Sequence, residues 1–448
     1  REKKNIVFMN SDFKLSIDSS LKNVQVWLIY LLPLALVTGP FLSDLFAVIA
    51  SIIFIYFSIK SKQWYYYKNP LIIVFWIWCF YLIVLSLFSD NPLLSLESSL
   101  FFFRFGFFTI TIWYVLDNNK FFIKKFTWIF IIIFVVVLLD GYLQFFSGKN
   151  IFNLPYDDGS GGMRISGFFG EEQILGSYLS RLLPLLFALM ISVYSFSKKT
   201  IFFCSILIIA TDVLIYVSGE RVAFFYLLLT TIIILTLVGQ GSLNFRWKMF
   251  RLFTFLLSLV IIIYISATNS STKFRMIDKT LDQVNIFDNK ESENGIRAFS
   301  IQHQVLYISA LKMFADHPLT GIGPKMFREK CKESKYYVTS NEDRSLDGCQ
   351  THPHNTYIQL LSETGLIGTL PVILVFMYIC WNYLKHLWFI IKHKKNALSD
   401  YQICLYAALL ITLWPLVPTG NFFHNWLNVI YFFPLGFLLH DLQSRGSK

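Results

Sequence analysis

Residues 126–146 read FTWIFIIIFVVVLLDGYLQFF, a run broken only by Thr127, Asp140, Gly141 and Gln144. A bilayer core about 30 Å thick is crossed by roughly 20 apolar residues wound as a helix, which satisfies its own backbone groups where no water can. Further runs of this kind lie before it, near 24–39, 41–59, 70–88 and 99–116. Others follow near 174–195, 200–217, 222–238, 250–267, 366–384, 403–418 and 425–440. The expected fold is therefore an all-α integral membrane protein of about 12 transmembrane helices, with Thr38-Gly39-Pro40 separating the first two. Composition agrees, because 55% hydrophobic and 18% aromatic residues against 15% charged cannot furnish a soluble surface at this length.

Basic residues orient the bundle. With the amino end placed in the cytoplasm, the inner segments carry 22 Lys and Arg, whereas the short outer loops hold only Lys149, Arg164 and Arg221. Both ends are expected inside. The expected organisation is a cytoplasmic segment 1–23, transmembrane helices 1–9 over 24–267, and a large periplasmic loop 268–353 containing helices. A motif helix and transmembrane helices 10–12 over 354–440 and a tail 441–448 complete it. The net charge of +11 then reflects topology and not a nucleic-acid partner. The start is polar for over twenty residues and the first apolar run is itself a full span, so no cleavable signal peptide is expected. Cys79, Cys204, Cys380 and Cys404 fall in spans as small apolar residues, while Cys331 and Cys349 share the long loop, where an oxidising compartment favours a disulfide.

Most unusual polar residues lie on the expected outer face. His352-Pro-His354-Asn355-Thr-Tyr357 stands where the long loop meets a span, and paired imidazoles there can move protons near neutral pH. An interfacial anchoring role is the plainer alternative. Pro353 is expected to keep the stretch extended and the two rings apart. Gly161-Gly162-Met-Arg164 leads into the sixth span, Ser218-Gly-Glu-Arg221 forms a tight turn, and Arg297 opens an amphipathic helix over about 296–316. Each arginine alone could anchor at the interface, but three on one face beside a His pair suit a diphosphate, since guanidinium forks grip phosphate oxygens bidentately. Arg104, Asp140, Arg181 and Asp212 lie within spans, where they are costly unless paired or facing a cavity; Asp140 and Asp212 are candidate ion-pair partners, and sequence leaves the pairing open. No outward carboxylate cluster beyond Glu171-Glu172 and no phosphate-cradling glycine loop is present, so neither a metal cofactor nor an ATP-driven pump is expected.

These residues together resemble the O-antigen ligase and O-antigen polymerase superfamily of bacterial envelope glycosyltransferases. The ligase signature is His, then Asn, Ser or Gln, nine residues, Gly, two residues, and Gly, Thr or Tyr. His354, Asn355, Gly365 and Gly368 meet it. Further likeness lies in Arg164-Ile-Ser-Gly-Phe-Phe-Gly, in the turn ending at Arg221, and in Pro318-Leu-Thr-Gly-Ile-Gly323. The resemblance covers roughly residues 150–385. It implies a GT-C-like, metal-independent enzyme of the bacterial inner membrane whose active site faces the periplasm and which uses no cofactor. The donor would be a glycan on undecaprenyl diphosphate. The acceptor would be lipid A core for a ligase or a second lipid-linked glycan for a polymerase, and ligase is favoured because the His-Asn motif belongs there. Carried over, His354 is the catalytic residue and Arg221 and Arg297 hold the diphosphate, with Arg164, His352 and Asn355 as further substrate-binding candidates. A flippase or secondary transporter would also have about twelve spans, yet the chain shows no repeat between its halves. A non-enzymatic scaffold would leave the clustered His and Arg without a purpose.

Overall fold

The computed structural model describes residues 17–159, 161–194, 197–239, 245–284, 300–340 and 345–446. Among them the regular structure is helical, with only isolated β-bridges in loops. The first two expected spans separate as the sequence suggests. Helix α1 (17–30) and the short α2 (Leu32–Val37) precede Gly39, whose φ of 110° turns the chain, and Pro40 opens α3 (Pro40–Lys60) where its missing N–H costs nothing. Asn69 caps α4 (Pro70–Leu87), and α5 (Pro92–Ser99) leads through a turn into α6 (Arg104–Asn118). Then come α7 (Phe122–Ser147), α8 (Leu175–Val193), α9 (Lys198–Val217), α10 (Arg221–Leu237) and α11 (Phe245–Thr268).

Among the described residues, seven segments are long and apolar enough to cross a membrane: Pro40–Lys60, Pro70–Leu87, Pro92–Asn118, Phe122–Ser147, Leu175–Val193, Phe245–Thr268 and Thr356–His393. Ile201–Val217, Arg221–Leu237 and Asp400–Thr412 are shorter apolar helices at three more of the expected positions. Helix α8 is 78% buried over its apolar window and α4 only 28%, so α8 runs through the centre of the bundle and α4 along its rim. Aromatic residues at four-residue spacing supply much of the packing. Phe122, Phe126 and Phe130 stack along α7 at 5.6 and 5.4 Å, and Phe126 meets Phe433 and Phe437 of the last helix, α18 (Asn425–Gly446).

The pairing of the charges within spans, open in the sequence, is settled by the structure. Asp212 pairs with Arg251 of α11 at 2.7 Å and accepts from Ser258, both wholly buried, and Arg104 pairs with Asp44 at 2.8 Å. Arg181 meets neither Asp140 nor Asp212. Its guanidinium stacks over Tyr226 and Tyr431, at 4.7 and 5.5 Å, because facing aromatic rings offer a cation an attractive surface without a carboxylate. Asp140 instead accepts from the Ile151 amide and helps tie down the loop after α7.

The segment between α11 and the His motif contains α12 (Ser270–Lys273), a π turn (Phe274–Asp278), α13 (Lys279–Val284), α14 (Ile301–Asp316) and α15 (Phe327–Lys330). Helix α14 begins at a Ser300 cap, inside the range expected for an amphipathic helix, and Arg297 lies outside the described residues. Cys331 and Cys349 are disulfide-bonded, Cα atoms 5.0 Å apart, which closes the segment. Helix α16 (Thr356–His393) follows, broken at Gly365, then α17 (Asp400–Thr412). The span expected over 403–418 ends early. Pro415 and Pro418 cannot continue a helix, and residues 413–424 fold back across the His motif.

Candidate active site

The His motif is held by the chain that covers it. Asn355 caps α16, its side-chain oxygen accepting from the amides of Tyr357 and Ile358 at 3.0 and 3.1 Å. Its Nδ2 donates to the carbonyls of Pro415 and Val417 at 2.9 and 3.5 Å. All four hydrogen-bonding positions of the amide are thereby occupied, and the side chain locks the 413–424 segment to the helix start. The Thr419 amide donates to the His354 carbonyl at 2.8 Å, and Tyr357 donates its hydroxyl to the Leu413 carbonyl at 2.6 Å.

His354 itself adopts φ 54°, a left-handed conformation that L residues seldom take and that clusters where function needs a side chain aimed against local preference. That turn overturns the expectation of diverging rings: the His352 and His354 imidazoles lie against each other with centroids 4.1 Å apart, tilted by 49°. His354 is half-buried, its Nε2 2.9 Å from Gln350 Oε1. His352 is buried, with Nδ1 3.0 Å from the Thr351 hydroxyl. A third imidazole, His303 of α14, lies 6.0 Å from His354 and 2.6 Å from the Ser300 hydroxyl. Burial holds His354 below the ordinary histidine range, opposed by the Thr419 backbone. Burial, and secondly the neighbouring His354, push His352 down to about 3 and His303 to about 4. All three are consequently neutral at pH 7, the form that can accept a proton.

The motif glycines have a separate task. Gly365, at φ 63° and ψ −168°, interrupts α16, and a Cβ there would collide with the Leu319 carbonyl. Residues 318–323 thread through the break. Leu366 and Ile367 donate to the carbonyls of Pro318 and Leu319 at 2.9 and 3.1 Å, and Ile322 and Gly323 donate to Ser362 and Glu363 at 3.0 and 2.9 Å. Gly321, at φ 69°, meets the same backbone from the other side. Gly368 admits the Thr364 side chain, and its carbonyl accepts from Trp78 Nε1 at 2.7 Å. The nine-and-two spacing therefore sets the distance from His354 to a strand-like crossing that fixes the end of α14 against α16.

The cations gather on the neighbouring loops. The Ile165 amide donates to the Ser218 carbonyl at 3.3 Å, which joins the Arg164 loop to the Arg221 turn. Arg221 donates to Gln283 Oε1 at 2.6 Å and Arg164 to the Gln173 carbonyl at 3.3 Å. Arg275 of the π turn donates to the Gly219 and Gly161 carbonyls at 3.0 and 3.3 Å. Burial, then Arg164 and Arg221, push Arg275 down to about 10, which leaves it charged at neutral pH. Glu220 is buried between these cations and the core, its carboxylate accepting the Gly176 and Ser177 amides at 2.6 and 3.0 Å at the start of α8. His303 stands between the two halves, sensing both His354 and Arg221 electrostatically. Among the described residues, no three of His, Cys, Asp and Glu gather as metal ligands.

The structure places the sequence candidates His352, His354 and Asn355 at the start of α16 and Arg164 and Arg221 on two hydrogen-bonded loops, whereas His303, 6.0 Å from His354, and Arg275 and Lys279, both near Gly161, were not among the candidates. His303 and Arg275 carry no local motif. Lys279, four residues after Arg275, shares its helical face, which is the one signal spacing could have offered.

Among curated proteins no relative matches the chain. Residues 203–373 match the family model described as O-antigen ligase. That segment contains Arg221, Arg275, His303, His354, Gly365 and Gly368, and stops short of Arg164 on its amino side. Over residues 203–373 this multi-pass helical chain is therefore similar to the O-antigen ligase family.

Proposed function

We propose that the protein is an inverting, metal-independent glycosyltransferase at the periplasmic face of the bacterial inner membrane, acting as an O-antigen ligase. It moves a glycan from undecaprenyl diphosphate to a sugar of lipid A core. The observation that carries this reading is the neutral His354, held at a left-handed φ, with His303 6.0 Å from its ring and itself within electrostatic reach of Arg221. In the reaction the acceptor hydroxyl gives its proton to the imidazole while its oxygen attacks the anomeric carbon. The bond from that carbon to the diphosphate oxygen breaks, and the departing charge passes to the arginines. The neutral ring is the competent form, and the cations need no reorganisation as charge develops. Arg221 and Arg297 grip the diphosphate in this account, Arg164 supports them, and His352 backs the catalytic ring. Asn355 acts by holding the motif, because its amide is fully engaged.

The test is transfer by purified protein of a labelled glycan from a defined undecaprenyl-diphosphate donor to lipid A core, with chelator present and without nucleotide or ion gradient. Product supports the ligase reading. Elongation of a second lipid-linked glycan instead makes the protein a polymerase, and donor translocation without transfer makes it a flippase.

A further inference from the structure

We propose that Arg275 and Lys279 complete, with Arg164 and Arg221, a four-cation seat for a phosphoanhydride, so that the site selects a diphosphate over a monophosphate. This rests on the transferase reading above; to the two cations of that reading that lie among the described residues, Arg164 and Arg221, it adds two more and a charge requirement.

Arg275 lies in a π turn, a form that concentrates at functional sites, and Lys279 follows one turn later on the same face. Both reach over the same glycine: Arg275 Nη1 and Lys279 Nζ are 3.4 and 3.6 Å from where a Gly161 Cβ would sit. A Cβ at Gly162 would meet the Arg275 backbone and Cβ, so the glycine pair is what lets this turn approach the Arg164 loop. Through the Gly219 carbonyl, Arg275 also holds the turn that carries Arg221. One side chain therefore spaces the other two arginines.

The charge balance is lopsided. The hydrogen-bond partners of Arg164, Arg221 and Arg275 are neutral groups, three backbone carbonyls, Gln283 and Thr280. Asp157 and Glu220 act on Arg164 and Arg275, and Asp282 on Lys279, three carboxylates against four cations. Half-buried cations in excess over their counter-ions repel one another, and an anion that bridges them relieves that penalty. A diphosphate offers enough oxygens for several forks at once, which a monophosphate does not.

The experiment is binding of inorganic pyrophosphate and inorganic phosphate to the full chain in detergent micelles at low salt. The wild-type protein should prefer pyrophosphate at least tenfold. Arg275→Gln and Lys279→Gln should each weaken pyrophosphate about tenfold, near the loss of one charged hydrogen bond, while Lys273→Gln on the exposed side of α12 changes nothing. Farnesyl diphosphate should compete, and phosphatidylglycerol should not. Should Arg275→Gln fail to fold, Lys279→Gln decides alone, since no hydrogen bond of the fold depends on it. Wild-type affinity in Lys279→Gln together with loss in Arg221→Ala overturns the four-cation seat and leaves the transferase reading standing. Unchanged affinity in Arg221→Ala overturns both. Displacement by phosphatidylglycerol assigns the cations to lipid headgroups and also overturns the proposal.

Discussion

Replacing Gly365 by alanine should break the crossing that positions the His motif. At φ 63° and ψ −168° only glycine is comfortable, and another residue forced there costs about 1–3 kcal/mol. The new methyl group would also occupy the place of the Leu319 carbonyl, so residues 318–320 must retreat. Retreat breaks the bonds from Leu366 to Pro318 (2.9 Å) and from Ile367 to Leu319 (3.1 Å), each worth about 1 kcal/mol net. The expected loss is about 3–5 kcal/mol, enough to lower the unfolding temperature by several degrees in a chain of this size. Tryptophan fluorescence during thermal unfolding in detergent would follow it, since Trp78 bonds to Gly368 one turn away. Leu366→Ala, at an exposed neighbour, should stay within about 0.5 kcal/mol. Unfolding of Gly365→Ala at the wild-type temperature would show that the break needs no glycine and that the account of the spacing is wrong.

Asn355→Ala removes a cap that serves two amides and frees the 413–424 segment; it should cost about 1–2 kcal/mol by thermal unfolding, with Asn355→Asp, which keeps the acceptor, costing less. Equal losses in the two variants would contradict the capping role. Asp212→Ala leaves Arg251 buried without its partner and should cost about 3–5 kcal/mol, while the double change Asp212→Ala with Arg251→Met should regain most of it. No recovery in the double variant would rule out charge burial as the cause. Acid should also destabilise the site. His352 and His303 are depressed to about 3 and 4, so their contribution is complete above about 6.5 and declines as pH falls towards those values. His354 and Arg328 face His352 and deepen the effect. Unfolding temperatures between pH 7.5 and 4 should fall on acidification, less so in His352→Gln, and an unchanged slope in that variant would argue against it.

Periodicity and length made the helices legible, because a bilayer leaves a chain few other ways to satisfy its backbone. The His354 motif and the Arg221 turn were legible for a different reason, being local patterns whose spacing survives in sequence. What sequence could not supply was convergence. His303 reaches His354 only because residues 318–323 pass through the break at Gly365 and pin α14 against α16, and nothing around residue 303 announces that. Arg275 is one basic residue among twelve in a long loop until the π turn faces it towards Gly161. Hydropathy also overran the end of α17, since residues 413–418 are apolar enough to extend a span while their prolines end it. The surroundings of Arg181 were not legible for a related reason: two tyrosine rings, from helices distant in sequence, face its guanidinium.

The most direct test is single-turnover transfer by His354→Ala with a defined lipid-diphosphate donor and lipid A core acceptor. The half-buried His354 ring meets Gln350 and the Thr419 backbone and lies outside the hydrophobic core, so the variant should fold and bind donor as the wild type does. Its rate should fall by about two to four decades, the range for loss of one general base. A rate near that of the wild type, with folding and donor binding intact, would contradict the assignment of His354 as the base.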